Sequence, residues 1–472
     1  MASKLLVRSY NVGCGDCMYV RIPDKGEHFH ILIDCGSKEK EGSGVMERAI
    51  KDLETTMLPK GSKAGKKRLD LLVVTHRHED HIKGLDPKFF KNIEVKNIWI
   101  TAAMDPSHTQ AKKSQALHAF ATEQMQAFAK AGVALSPELT DMMGLYGVGN
   151  VQATKFVTET LPNANGIKPK FVYAGQTSAD HGIKIANTKI HILAPEKDID
   201  GYYLGKAADE NLRGLQGGAA FIRDHTNSAA SPSAVPSNIS TADFRNLQPR
   251  LLSNSLAFAL DDTSIQNNVS VVLLIEWKKK RLLFVGDAEW EEEFKEGKKN
   301  GSWNVMWEKR KNQLLKPLDF LKVGHHGSIN ATPWNREADA KHEMNKLFNA
   351  ILPLPKSGKK PTAQCIVSTK RKQYDTIPDA ELLTEIAKRV SNTKNYLQAF
   401  KKADRNFDPE TGIFNYSLLK EYSKEPTPRE VGEKDWFNKP QPLRTDMEFP
   451  GKGSPDVGTA VEFIDIEIAG TA

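Results

Sequence analysis

The chain has 472 residues, 39% hydrophobic and 26% charged, with 66 basic against 59 acidic side chains and a net charge of +7. This balance excludes an intrinsically disordered chain and supplies a sizeable core, in two or three domains or in one large α/β core with insertions. No uncharged apolar run reaches the roughly 18 residues of a membrane span, no signal-like segment follows the first charges, and four uneven cysteines (Cys14, Cys17, Cys35, Cys365) fit a reducing cytoplasm better than a disulfide framework.

Residues 5–10 alternate apolar and polar and predict a first strand that leaves into Asn11-Val12-Gly13-Cys14-Gly15-Asp16. The two glycines let backbone approach closely. Cys14 and Cys17 have redox-pair spacing, but in a turn rather than at a helix start. Residues 19–22 and 29–33 read as a hairpin turning at 23–27 and closing on Asp34-Cys35-Gly36. Asp34 at that strand end either orients site residues from behind or caps its own turn. Residues 46–58 read as helix and 60–67 as a basic loop.

The apolar run Leu71-Leu72-Val73-Val74 predicts a buried strand that ends in Thr75-His76-Arg77-His78-Glu79-Asp80-His81. His76 and His78 are two apart in extended chain, so both point to one side and can reach one metal ion. Asp80 and His81 follow once the chain has begun to turn; they diverge from the first pair and are candidates for a second ion.

Beyond this cluster, residues 95–101 predict a strand. Residues 110–130 predict a helix with Leu117, Phe120, Ala121, Met125 and Phe128 on its apolar face and His118 off it, toward solvent. Residues 183–193 resume strand patterning around a turn at Asn187-Thr188. Residues 206–251 are rich in Gly, Ala, Ser, Asn and Pro, most strongly at 228–240, and read as a loop near or over the site. Residues 271–277 and 282–285 are strands about a lysine turn, the second ending on Gly286-Asp287, after which a helix would carry Trp290 and Phe294 as an i,i+4 pair. Residues 320–323 form a third apolar run ending in potential ligands, Gly324-His325-His326-Gly327-Ser328. A strand at 363–368, a helix at 378–390 and a last strand at 460–468 complete the pattern.

Three strand ends thus supply His76, His78, Asp80 and His81, then Asp287, then His325 or His326, enough for one or two divalent ions with the Asp287 carboxylate bridging. Two such ions lower the pKa of a shared water, make hydroxide available near neutral pH and clamp developing charge, which points to hydrolysis. Asp80, His325 and His326 are the catalytic candidates, the histidine not used as a ligand donating to the leaving group or oxyanion. Carboxylates and imidazoles with few or no thiolates nearby suit Mn or Zn, and the aspartates favour Mn. Lysine clusters at 60–68, 278–281, 356–360 and 370–372 suit a polyanionic substrate or serve solubility.

Through Leu32-Ile33-Asp34-Cys35-Gly36, His76 to His81 and Gly286-Asp287 the chain resembles the metallo-β-lactamase superfamily. Within it, Asn11 to Asp16, Asn267-Asn268-Val269-Ser270, Leu283 to Asp287 and Lys322 to Ser328 most resemble ComEC-like hydrolase domains. The resemblance implies a four-layer αββα sandwich, a divalent metal centre at one sheet edge, supporting roles for Asp16, Asp34 and Asn268, and a Mn- or Zn-dependent phosphodiesterase acting on DNA. It also implies a further ligand histidine, whose setting His181, His191 and His225 lack, and a histidine before Pro378, where the chain has Tyr374-Asp375-Thr376-Ile377. The expected organisation is a hydrolase domain over 1–390, with insertions around 105–180 and 206–260, and an extension over 391–472 that returns a final strand to it. The expected activity is that of a phosphodiesterase or nuclease with nucleic acid as substrate and no membrane. Its alternatives are a hydrolase of a small ester, lactone or cyclic nucleotide, or a subunit gated by a partner encoded nearby, as in bacterial defence modules.

Overall fold

The computed structural model describes residues 4–40, 42–131, 144–205, 257–291, 293–337, 341–370, 373–374, 376–396, 398, 439–448 and 461–470. The expected loop at 206–251, including His225, lies outside them. The strands in chain order are β1 (Lys4–Tyr10), β2 (Met18–Asp24), β3 (Glu27–Ile33), β4 (Lys67–Leu69), β5 (Leu71–Val74), β6 (Ile93–Val95), β7 (Ile98–Thr101) and β8 (Lys170–Val172). They continue as β9 (Thr188–Ala194), β10 (Val272–Trp277), β11 (Lys280–Phe284), β12 (Phe320–Lys322), β13 (Gln364–Val367), β14 (Thr393–Lys394), β15 (Gln441–Arg444) and β16 (Phe463–Ala469). Two seven-stranded sheets result, ordered β16-β1-β2-β3-β5-β7-β8 and β14-β15-β13-β12-β11-β10-β9.

The first strand, read as alternating apolar and polar, is buried on both faces and sits between two layers. Leu5 and Val7 face the second sheet, in one cluster with Ile31, Val73, Leu273, Ile275, Phe284 and Phe320. Leu6 and Tyr10 point the other way, onto Ala49, Ile50 and Leu53 of the helical segment that follows Gly44. In the second sheet Val272 and Leu274 pack outward against Trp303 and Met306 of helix Ser302–Leu314, and Leu382 and Ile386 of helix Ala380–Ala387 join the same cluster. The order is helix, sheet, sheet, helix: the αββα sandwich expected.

Strand direction positions the site. β3, β5, β7 and β8 run parallel, as do β11, β12, β13 and β15. β1 is antiparallel to β2, and β2 to β3, so β1 points with β3. The carboxyl ends of β1, β3 and β5, and those of β11, β12 and β13, therefore each gather at one edge, where open α/β sheets place their ligands.

Several local expectations are corrected. No helix starts directly after Asp287 among the described residues. Residues 288–291 and 293–301 are turns and extended chain, held open by the Asn304 carboxamide oxygen accepting from Glu291 N at 2.9 Å and the Asn300 oxygen accepting from Lys295 N at 2.8 Å. These side chains satisfy backbone donors that a helix would have paired internally. Residues 95–101 are two strands, because Lys96 and Asn97 break the run between β6 and β7. His118 is half-buried rather than solvent-facing, its Nδ1 2.7 Å from Asp262 Oδ2. The stretch read as an insertion at 105–180 contributes the edge strand β8, and its Phe156, Val157 and Leu161 join the first sheet's outer core.

His30, on β3, is buried and accepts from the Tyr19 hydroxyl at Nδ1, 2.6 Å away. Burial, helped by Arg68 and His28, lowers its pKa to about 3. Such a histidine stays neutral in the fold and protonates on unfolding, so its contribution is complete above the ordinary histidine pKa and drains away as pH falls toward about 3. Urea unfolding between pH 6.5 and 4 should show a slope of up to ~1.4 kcal/mol per pH unit from this group, absent in His30→Gln. Equal slopes in the two proteins would reject the assignment.

Candidate metal centre

Four segments converge at the shared edge. The loop after β1 carries Cys14 and Asp16, and it is stitched down by Asp16 N donating to Asp80 O at 2.9 Å and Lys38 N to Cys14 O at 2.8 Å. A Cβ on Gly36 would lie 2.2 Å from the Asp80 carbonyl carbon, so only glycine lets the turn after β3 pass beneath the histidine cluster. Asp34 itself adopts a left-handed backbone (φ 57°). Its Oδ1 accepts from Thr75 N at 2.8 Å, and its Oδ2 accepts from Thr75 Oγ1 at 2.6 Å and His81 Nδ1 at 2.8 Å. Asp34 thus orients Thr75 and His81 rather than capping its own turn.

These bonds assign the histidine tautomers. Because Thr75 Oγ1 gives its proton to Asp34, it accepts from His76 Nδ1 at 3.0 Å; Ser270 Oγ lies 3.2 Å from the same nitrogen and accepts from Asp287 N. His76 and His81 therefore each aim an Nε2 lone pair at Asp287 Oδ2, 3.5 and 3.2 Å away. The same arrangement recurs beside it. His326 Nδ1 donates to Ser368 O at 2.9 Å, leaving Nε2 3.1 Å from Asp80 Oδ2.

Lone pairs facing carboxylates at such distances require a cation or a proton between them. Moreover, the buried Nε2 atoms of His76, His78 and His81, Asp80 Oδ1 and both Asp287 oxygens have no hydrogen-bond partner, which is abnormal for buried polar groups. The residues fit divalent ions: His76, His81 and Asp287 as one group, with His78 beside His76 at a ring separation of 4.6 Å, and Cys14, Asp80 and His326 as the other.

The electrostatics agree. Burial holds the His76 imidazole well below its ordinary pKa and lowers His78 to about 4. Burial alone would lower His81 too, but Asp287 and Asp34 raise it well above the ordinary value. Against the upward pull of burial, Asp287 is held well below the usual carboxylate range by His81 and His325, and Asp80 by Lys38 and His326.

Sequence reasoning paired Asp80 with His81, whereas the structure separates them. The two begin one helical turn (Glu79–Ile82), where neighbouring side chains diverge by about 100°; His81 swings back to His76 and Asp287, and Asp80 meets His326. His325 (φ 40°) and His326 (φ 54°) both take left-handed backbone, a cost of roughly 1–3 kcal/mol each that turns their rings to different partners. His326 is buried against Asp80. His325 is 23% exposed, with Nδ1 3.4 Å from Glu289 Oε1 and Nε2 3.9 Å from Asp287 Oδ2.

Asn268 touches no ligand. Its carboxamide holds Glu289, with Nδ2 donating to Oε2 at 3.2 Å and Oδ1 accepting from Glu289 N at 3.1 Å. Asp16 is ion-paired to buried Lys322 at 2.8 Å, so its proximity to Asp34 and His81 makes a supporting group. The expectation of few or no thiolates near the site is corrected by Cys14, whose sulfur falls within 4.8 Å of Asp80 and His326 ligand atoms. Cys17 packs in the apolar cluster that holds Cys35, whereas Cys14 lies by Asp80 and His326. Also missed were Ser270, Glu289 and Lys38. Lys38 reaches to 3.8 Å from Asp80 Oδ2 and donates to the hydroxyl of Tyr374, the residue in the segment where the resemblance implied a histidine. His181 packs by Trp99 and His191 pairs with Glu276, away from this centre.

Residues 11–146 match the model of the metallo-beta-lactamase superfamily. This stretch carries Cys14, Asp16, Asp34 and the histidine cluster but ends before Asp287, His325 and His326, which the fold brings to it. The match and the site together point to a metal-dependent hydrolase. No curated protein matches the chain. Among the described residues no helix is long and apolar enough to cross a membrane.

Proposed function

We propose that the protein is a metal-dependent phosphodiesterase acting on nucleic acid. The observation that carries this reading is positive charge at the centre, on Lys38, and in the cleft next to it, which none of the candidate ligands lines. Lys38 and Tyr374 stand beside Asp80, and from the neighbouring Ser37 and Glu39 a cleft of about 740 Å³ opens, lined by Lys40, Lys83, Lys88, Lys91 and Lys155. Three acidic residues also line it, so its charge is mixed but biased toward a polyanion.

Divalent ions held by the two ligand groups, Zn or Mn by the chemistry of the donors, would activate water and offset charge on a phosphate. The chain's own residues do the rest. Asp34 and Thr75 fix His81 and His76, and Glu289 faces the His325 Nδ1 edge. His325, with Glu289 on its Nδ1 side and Asp287 on its Nε2 side, stands where a donor to a departing oxygen would be needed. Lys38 supplies a fixed positive charge for a non-bridging oxygen, and Tyr374, which receives its hydrogen bond, sets its direction.

The test is cleavage of single- and double-stranded DNA, RNA and a generic phosphodiester, each with Mn and with Zn, by the protein and by Asp80→Ala. Metal-dependent cleavage of a nucleic acid, lost in the variant, is the expected result. Turnover confined to the small diester would replace this reading with a small-molecule hydrolase. Metal binding without turnover on any substrate would replace it with a partner-gated subunit.

A further inference from the structure

The four cysteines have two different environments. Cys17, Cys35 and Cys365 lie inside apolar clusters, as buried thiols usually do. Cys14 belongs to none of them. It is 1% exposed, a free thiol, and its neighbours are Asp80 and His326. Its place is built in: the Cys14 carbonyl is tied to Lys38 N, and Gly13 (φ 75°) takes a left-handed backbone with the Glu39 side chain packed against it.

We propose that Cys14 Sγ is a metal ligand, completing with Asp80 and His326 a site of thiolate, carboxylate and imidazole that prefers zinc to manganese. This rests on the reading of the edge as a metal centre. A second observation points to a ligand independently of the cysteine: Asp80 Oδ1 is buried without a partner while Oδ2 faces the His326 lone pair. Three electron-rich atoms from three segments, all within 4.8 Å of one another, define a cation position. Coordination replaces the Sγ–H bond by an Sγ–metal bond and releases one proton to solvent; no electron is transferred.

The selectivity follows from the donors. Thiolate is a normal zinc ligand, whereas manganese favours carboxylate, carbonyl and water. Manganese, favoured by the aspartates alone, thus gives way to zinc once the sulfur is counted.

The experiment is zinc-edge X-ray absorption on the full-length protein loaded with zinc, with Cys14→Ser alongside, and competition binding of zinc and manganese to both. The expected result is a sulfur shell at about 2.3 Å that disappears in Cys14→Ser. Zinc affinity at that site should fall by at least the ~10- to 100-fold that loss of a mere orienting partner costs, with manganese changed less than about threefold. A shell of nitrogen and oxygen only in the unmodified protein overturns the proposal and leaves the metal centre standing, and needs no variant to fold. A sulfur shell that persists in Cys14→Ser overturns it as well. Failure of the unmodified protein to bind either metal overturns the metal-centre reading itself, and the Cys14 assignment with it.

Discussion

Replacing Asp287 with alanine is expected to reduce metal-dependent hydrolysis by on the order of 10³-fold or more while leaving the chain folded. Asp287 approaches His76, His81 and His325 together, and both of its oxygens are buried without hydrogen-bond partners. Its carboxylate faces imidazoles and would face any cation held there, and it takes no part in apolar packing. The loss should appear in kcat, with circular dichroism unchanged. Asp34→Asn should cost less, roughly 10- to 100-fold, because Asp34 acts through His81 and Thr75. Equal activity of Asp287→Ala and the unmodified protein would sink the assignment of this carboxylate to the centre.

Lys322→Met should destabilise the fold by roughly 3–5 kcal/mol, read by urea denaturation. Lys322 is 2% exposed on β12, and its ammonium donates to Asp16 Oδ2 at 2.8 Å and to Val323 O at 3.0 Å. Methionine fills the same volume but strands a buried carboxylate whose Oδ1 already lacks a partner. The double variant Lys322→Met/Asp16→Asn should recover part of the loss, a coupling of roughly 2 kcal/mol. The consequence reaches the site, because Asp16 N holds the Asp80 carbonyl and Asp16 O accepts from Gly36 N. If Lys322→Met unfolds within about 0.5 kcal/mol of the unmodified chain, the pair contributes nothing.

The strand ends were legible because each is an apolar run that stops at a chemically distinctive residue: Val74 before the histidine cluster, Val285 before Gly286-Asp287, Val323 before Gly324-His325. Residues 5–10 form the expected strand, but it is buried on both faces, Leu5 and Val7 on one and Leu6 and Tyr10 on the other, so the alternation of apolar and polar did not mark a solvent face. What escaped were residues whose role depends on contacts across the chain. Cys14 reads as part of a turn until the loop after β1 is laid against Asp80. Lys322 looks like a polar interruption in a strand, and its partner lies 306 positions away. Ser270 belongs to the Asn267–Ser270 motif, but nothing local ties it to His76; Glu289 has no local signature and acquires His325 only through the left-handed turn of the paired histidines. The absent helix after Asp287 shows the same limit, since Asn300 and Asn304 compete for its backbone donors from outside the window in which periodicity is read.

The edge of the first sheet beside Cys14 is finished by β16, which pairs with β1 along its whole length, Lys4 opposite Ala469. Arg8 locks the pair with two 2.7 Å bonds to Asp465, and Asn11, at the mouth of the Cys14 loop, takes Glu462 O through its backbone and Glu462 Oε2 through its side chain, each at 2.9 Å. β1 therefore waits for a partner strand that lies 457 positions away at the Arg8–Asp465 pair. A contact closing so long a loop is slow to form, and until it does one anchor of the Cys14 loop is missing. The candidate metal centre is in this way coupled to pairing across the whole sheet: the histidines and aspartates at its edge depend on a distant strand to fix the loop bearing Cys14 and Asp16.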